Sequence, residues 1–393
     1  MENKAIRIAQ MHWGFPPIIG GVETHLTILL PELINRGHKV YLLTGSVEGV
    51  KTRYRYKGVE VYRTPLFDLN WLFKRGLKGL EEEIRSLYNS FFDEVKPDIC
   101  HVHNMHYFSD THIRMLDEIC RSKGVPIVLT AHNVWDDITF LRLTIEINWT
   151  HIISVSHYIK KELMGTGLDD RKITVIHHGI DPLVFHPNGK PDKLIRKYPE
   201  IKDKKVIFHP ARMGLAKGCD VSIKAINMVK EKFPNALLVM AGTKNIIDWG
   251  ATQQKEIAYF LDLIKMFNLK ENVLIDFFAL DEIPEMYNIS KVCVYPSSRP
   301  EPFGITMLEA LAATKPMIVT NMGGMPEIIR DGINGYVIPL KDFETLATRI
   351  IHLLANERLR KRLGYTGREM IVRHFTKEIM TDCVIDVYKD LLK

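Results

Sequence analysis

The densest chemistry in the chain lies in the run Tyr295-Pro296-Ser297-Ser298-Arg299-Pro300-Glu301-Pro302-Phe303-Gly304-Ile305-Thr306-Met307-Leu308-Glu309-Ala310. A strand-like segment ends at Ser297, a proline-rich turn follows, and a helical pattern opens near Gly304. Free N–H groups at such a helix start can receive a phosphate, and a glycine there lets the phosphate come close. Glu301 stands before the helix and Glu309 more than one turn inside it. Carboxylates so placed could each chelate sugar hydroxyls, one on either side of a bound diphosphate. Spacing alone leaves a surface glutamate and an ordinary helical glutamate as the alternative.

A second constellation is Gly20-Gly21, which follows the first strand-like run and opens a helix at Val22. It differs from the G-x-G-x-x-G dinucleotide fingerprint, which is absent, so a nicotinamide-dependent oxidoreductase is disfavoured. Read alone, it is a helix-capping turn. His132 ends another predicted strand, where a single histidine is ordinarily structural. There is no D-x-D triplet, and the pairs Asp136-Asp137 and Asp169-Asp170 are weak as metal sites. No metal is expected.

The elements that must carry these residues alternate almost from end to end. Strand-like runs at 6–12, 39–44, 98–104, 126–132, 151–156 and 173–178 are separated by helical patterns such as 22–35, 70–91 and 109–123, with 59–63 as an additional short strand. After the turn-rich stretch 179–189 the rhythm restarts with strands at 205–211, 236–241, 273–278, 292–295, 316–320 and 336–338. Helices are expected at 219–232, 252–267, 305–313, 343–355, 357–373 and 377–392. The expectation is α/β: two doubly wound, Rossmann-like domains at 1–187 and 188–374, facing a cleft at their strand C-terminal edges.

Composition narrows the class. The 393 residues are 46% hydrophobic and 25% charged, with a net charge of +6 spread rather than blocked. Nucleic-acid binding is therefore a weak reading, and anionic substrates fit the excess as well. The five cysteines, Cys100, Cys120, Cys219, Cys293 and Cys383, form no C-x-x-C pair and suggest a reducing, cytoplasmic setting. No stretch approaches the roughly 18–20 apolar residues of a spanning helix. The basic, aromatic segments 53–57 and 71–75 would suit peripheral membrane contact, but an edge hairpin and a packed helix start are preferred.

The 295–310 run resembles the E-x7-E motif of retaining glycosyltransferases of the GT-B fold, the family of sucrose synthase and the bacterial phosphatidylinositol mannosyltransferases (glycosyltransferase family four). The similarity extends to Gly20-Gly21-Val22-Glu23, Thr130-Ala131-His132-Asn133, Pro210-Ala211-Arg212 with Lys217-Gly218, and Gly323-Gly324-Met325-Pro326-Glu327, in the right order. The resemblance implies a sugar transferred from a nucleoside diphosphate, UDP favoured, to a hydroxyl of a sugar, cyclitol or lipid-linked acceptor. Glu301 would hold the donor sugar, Glu309 the ribose, and the amides of Phe303, Gly304 and Ile305 the sugar and diphosphate. Arg212 and Lys217 would neutralise the departing diphosphate, in place of a cation. Gly20, Gly21 and Gly242 would border the donor, and His132 would contact its sugar. Trp13, His106, Asp110 and Asp136 are the acceptor-side candidates. The C-terminal helix, from about 375 to 393, would return to the first domain. A nucleotide-sugar hydrolase or epimerase, or a silent nucleotide-sugar-binding subunit, is the competing class.

Overall fold

The computed structural model describes residues 5–134, 137–242 and 250–393. The chain divides into two compact units: one runs to Gly179 and takes in the closing stretch Lys377–Lys393, and the other extends from Ile180 to Thr376.

The first unit is built on β1 (Arg7–Met11), β2 (Lys39–Gly45), β3 (Arg53–Tyr56), β4 (Val59–Thr64), β5 (Ile99–His103), β6 (Ile127–Ala131), β7 (His151–Ser154) and β8 (Ile173–Val175). Their order in the sheet is β3-β4-β2-β1-β5-β6-β7-β8. All neighbours are parallel except β3, which turns back on β4 through Lys57 and Gly58, at φ 45° and 90°. Two positive φ angles give a turn whose twist matches that of the paired strands. Ile8 of β1 registers with Val40 on one side and Ile99 on the other. The order therefore reverses beside β1, and in such sheets ligands bind outside the carboxyl ends of the strands at that point.

Helix Gly21–Asn35 places Leu26, Leu29, Leu30 and Leu33 on one stripe, fully buried with Ile8, Val40 and Leu42. Val384 and Tyr388 of the closing helix Lys377–Leu391 enter the same core. Lys377 pairs with Glu32 at 3.1 Å and Arg36 with Asp382 at 2.8 Å along that contact. The C-terminal helix thus belongs to the first unit, as the resemblance implied. The single helix expected over 70–91 is instead two, Leu69–Arg75 and Glu81–Val95. Gly76 and Gly79 interrupt it at φ 76° and 81°, a backbone region that helices do not use.

The second unit contains β9 (Lys205–His209), β10 (Ala236–Gly242), β11 (Val273–Phe277), β12 (Val292–Tyr295), β13 (Met317–Thr320) and β14 (Gly335–Ile338), ordered β11-β10-β9-β12-β13-β14 and parallel throughout. Its reversal lies between β9 and β12, so the loops after His209 and after Tyr295 leave the sheet side by side. Helices Cys219–Lys232 and Phe343–Ala355 cover one face and bury Val221, Ile226, Leu346 and Ile350 against it. Among the described residues no helix is long and apolar enough to cross a membrane.

Candidate active site

In the second unit, the loop after β9 carries Arg212 and Lys217, and the loop after β12 carries Glu301. The two are stitched together by backbone and hydroxyl contacts. Ser298 donates its N–H to the Ala216 carbonyl at 3.0 Å, and the Ser297 hydroxyl donates to the same oxygen at 2.8 Å. Lys217 Nζ then lies 2.7 Å from Glu301 Oε2. The Tyr295 hydroxyl donates to that oxygen from the other side at 2.6 Å, and the ammonium stands 5.5 Å from the Tyr295 ring centre. Both charged side chains are largely buried, at 23% and 16% exposure, so their attraction is screened less than at a surface. Arg212 is exposed and forms no ion pair among the described residues.

Glu301 is held from behind by Gly323-Gly324. Gly324 donates its N–H to the Glu301 carbonyl at 2.8 Å, and Gly323, at φ +59°, lies so close that a Cβ would run into the Glu301 backbone. The start of the Gly323–Glu327 segment is therefore a support for this loop.

Helix Ile305–Ala312 starts after Gly304, which takes φ +91°, and no side chain caps it. The Met307 N–H turns back onto the Gly304 carbonyl at 3.0 Å, and the N–H groups of Ile305 and Thr306 are left for another acceptor. Phe303 is buried and Ile305 nearly so. Glu309, inside the helix, receives a hydrogen bond from the Tyr287 hydroxyl at 2.9 Å. Burial raises its carboxyl to about 7, against the opposing effect of that bond. Tyr287 and Tyr295 are partners that sequence reasoning missed, because their relation to the glutamates is set by strand and helix placement. Gly242 closes β10, where a Cβ would press on the Phe277 ring. His209 is buried on Ser222, and burial lowers it to about 3.

In the first unit, Gly20 precedes helix Gly21–Asn35 in extended conformation. The Glu23 carboxylate fills the space against Gly14 and Gly20 and lies 3.2 Å from His12 Nε2. Burial alone would raise this carboxyl, but the His12 contact outweighs it and lowers it. His132 follows β6, its N–H bound to Asn104 Oδ1 at 2.8 Å. Its Nε2 is 3.0 Å from His103 Nδ1, and its Nδ1 is buried with no hydrogen-bond partner. Burial and the surrounding histidines push it well below the ordinary range.

The acceptor-side candidates are less uniform. Trp13 stacks on Phe108 with ring centres 5.4 Å apart, and Tyr107 stands edge-on to it and to His106. His106 is buried, lies 3.2 Å from the Asn133 carbonyl, and is lowered to about 3 by burial. Asp110 is engaged by Arg114 at 2.9 Å and by Arg142 at 3.0 Å. Asp136 lies outside the described residues. Asp169 and Asp170 are ion-paired with Arg171 and Lys160.

The fold and these loops define a two-unit α/β protein with charged side chains gathered at sheet reversal points. A family model, Glycosyltransferase Family 4, matches residues 19–182, and a second, Glycosyl transferases group 1, matches residues 191–370. The chain belongs to the family-four glycosyltransferases. It is 27% identical to an uncharacterized glycosyltransferase of Methanocaldococcus jannaschii, over 98% of each chain. Its fold is similar to that of a Rickettsia africae glycosyltransferase, with a TM-score of 0.84 at 22% identity and 99% coverage of each chain. It is also similar to an Anabaena protein solved in complex with UDP-glucose, with a TM-score of 0.77 at 16% identity over 98% of this chain and 100% of that one. Both structural likenesses carry the GT-B fold.

Proposed function

We propose that this glycosyltransferase is a retaining, metal-independent enzyme. It takes a sugar from a nucleoside diphosphate, UDP being favoured, to a hydroxyl of a sugar, cyclitol or lipid-linked acceptor. The observation that carries the reading is the contact between Lys217 and Glu301, with Glu309 eight residues further on. Without donor the two charges satisfy each other. A diphosphate competes with Glu301 for the Lys217 ammonium, while sugar hydroxyls offer Glu301 replacement hydrogen bonds. Donor binding on the second unit is then an exchange of partners rather than the uncovering of bare charges, which limits the desolvation cost.

Within this reading, Arg212 joins Lys217 at the diphosphate, and the free N–H groups after Gly304 receive a phosphate oxygen. Glu309 holds the ribose through its carboxyl. His132 contacts the donor sugar, Gly20-Gly21 approaches the phosphates, and the acceptor sits on the first unit near Trp13 and His106. The neighbour solved with UDP-glucose supports uridine as the base. Incubating the chain with UDP-sugars and a panel of acceptors, and reading the anomeric configuration of the product by NMR, tests it. An α-linked product from an α-linked donor is expected. An inverted product, or nucleotide release that no acceptor accelerates, would refute it.

A further inference from the structure

Six of the histidines buried in the first unit, His12, His25, His101, His103, His132 and His178, lie ring against ring, and the transfer reaction above does not account for them as a group. His25, on helix Gly21–Asn35, His103, ending β5, and His132, just after β6, stand together with ring centres 5.0, 5.3 and 5.6 Å apart. One ring nitrogen from each lies within 4.8 Å of the others. A tetrahedral zinc ion with Zn–N bonds of about 2.0–2.1 Å would hold imidazole centres about 5 Å apart and ligand atoms about 3.3 Å apart. The ring positions already meet that spacing, and His103 Nδ1 and His132 Nε2 are 3.0 Å apart.

The surrounding hydrogen bonds favour lone pairs at this point. Gln10 Oε1 lies 2.8 Å from His103 Nε2, so it accepts the proton there and leaves Nδ1 bare. Gln10 is fixed in that orientation because its amide N–H donates to the Tyr388 hydroxyl at 3.1 Å. His178 Nδ1 lies 2.9 Å from His25 Nδ1, which leaves Nε2 of His25 a lone pair when Nδ1 donates. His132 has one nitrogen buried and unpartnered, so its single proton can move to Nδ1 when Nε2 ligates. All three rings are buried, and it is the neutral imidazole that binds metal. Ligating histidines characteristically give their other N–H to a fixed acceptor, as His103 does to Gln10.

We propose that His25, His103 and His132 form a binding site for one borderline transition-metal dication of the zinc type. The site shares His132 with the donor-sugar contact assigned above, but it takes no part in the diphosphate chemistry and its occupancy does not rest on that reading. Three ligands from a helix and two adjacent strands leave a fourth position for water or His178.

Metal-free protein titrated with cobalt(II) tests the site. One equivalent per chain is expected to give the visible absorption of a low-coordinate, nitrogen-ligated ion, and one equivalent of zinc(II) should abolish it. His103→Gln and His25→Asn should each weaken binding at least about tenfold. Gln10→Leu, which leaves every ligand in place, should weaken it by roughly 10–100-fold. His112→Gln, a buried histidine held by Ser109 and Leu66, should keep the absorption. No absorption at one equivalent, or absorption unchanged in both ligand variants, would overturn the site. Should those variants fail to fold, X-ray absorption fine structure of the zinc-loaded wild type decides. Three imidazoles, or four with His178, support the proposal and fewer refute it.

Discussion

Lys217 Nζ and Glu301 Oε2 lie 2.7 Å apart across two loops that leave neighbouring strands of the second sheet. The contact joins the residue assigned to the leaving group with the residue assigned to the sugar, so a change at either alters the other. In the transition state, charge develops on the β-phosphate oxygens, and stabilisation there has the greatest effect on rate. Lys217→Ala and Arg212→Ala should each lower kcat by on the order of 10²–10³, roughly 3–4 kcal/mol, by analogy with a lost oxyanion donor. Arg212→Lys should stay impaired, since an ammonium lacks the planar fork. The double variant should lose less than the product of the two, because they share one charge. Near-normal kcat in both single variants would sink the assignment.

The two glutamates should separate kinetically. Glu301→Gln should cut turnover heavily, because its carboxylate is the one assigned to the reacting sugar. Glu309→Gln should mainly weaken nucleotide binding. Calorimetric titration of free UDP distinguishes them, and equal affinity in wild type and Glu309→Gln would disprove the ribose assignment.

Gly323→Ala tests the support behind Glu301. The residue has φ +59°, and its Cβ would meet the Glu301 backbone rather than a movable side chain. A loss of more than about 1 kcal/mol in stability is expected from the backbone conformation alone. A fall in kcat beyond that of an equally destabilised variant elsewhere is also expected. Unchanged melting temperature and kcat would show that the loop tolerates the shift.

Stability should fall as pH drops below about 6.5. His25 and His101 are each lowered to about 3 by burial, so the unfolded chain binds more protons between about 3 and 6.5. Folding stability is therefore complete above that window, and each such histidine removes about 1.4 kcal/mol per pH unit within it. Glu309, raised to about 7, acts oppositely: the folded state holds its proton between about 4.5 and 7, so its contribution is lost as pH rises. One carboxyl opposes at least two histidines, and the histidines win. Denaturant melts at pH 5.5 and 7.5 measure the net effect. Glu309→Gln should steepen stability's rise with pH across 4.5–7.

Turnover should survive EDTA, since the chain has no D-x-D triplet and a basic pair is available for the leaving diphosphate. Complete loss in chelator, restored by manganese or magnesium, would contradict this. A zinc ion at the histidine cluster would leave with the chelator without abolishing transfer.

Hydrophobic alternation along the sequence determined the two doubly wound sheets, because parallel strands covered on both faces must be apolar in runs and joined by amphipathic helices. It also determined the Glu301 to Glu309 spacing and the glycine that frees the helix start, since both are local properties of adjacent residues. The break at Gly76 and Gly79 went unread because the helical pattern continues through both glycines, and only their left-handed backbone ends the helix. Tertiary structure alone decided the partners. Lys217 and Glu301, 84 residues apart, meet because β9 and β12 are neighbours at a reversal of strand order. The histidine cluster likewise draws on residues scattered from 12 to 178, each unremarkable in its own segment. Their meeting is a consequence of which carboxyl edges the sheet aligns, and no periodicity along the chain records that.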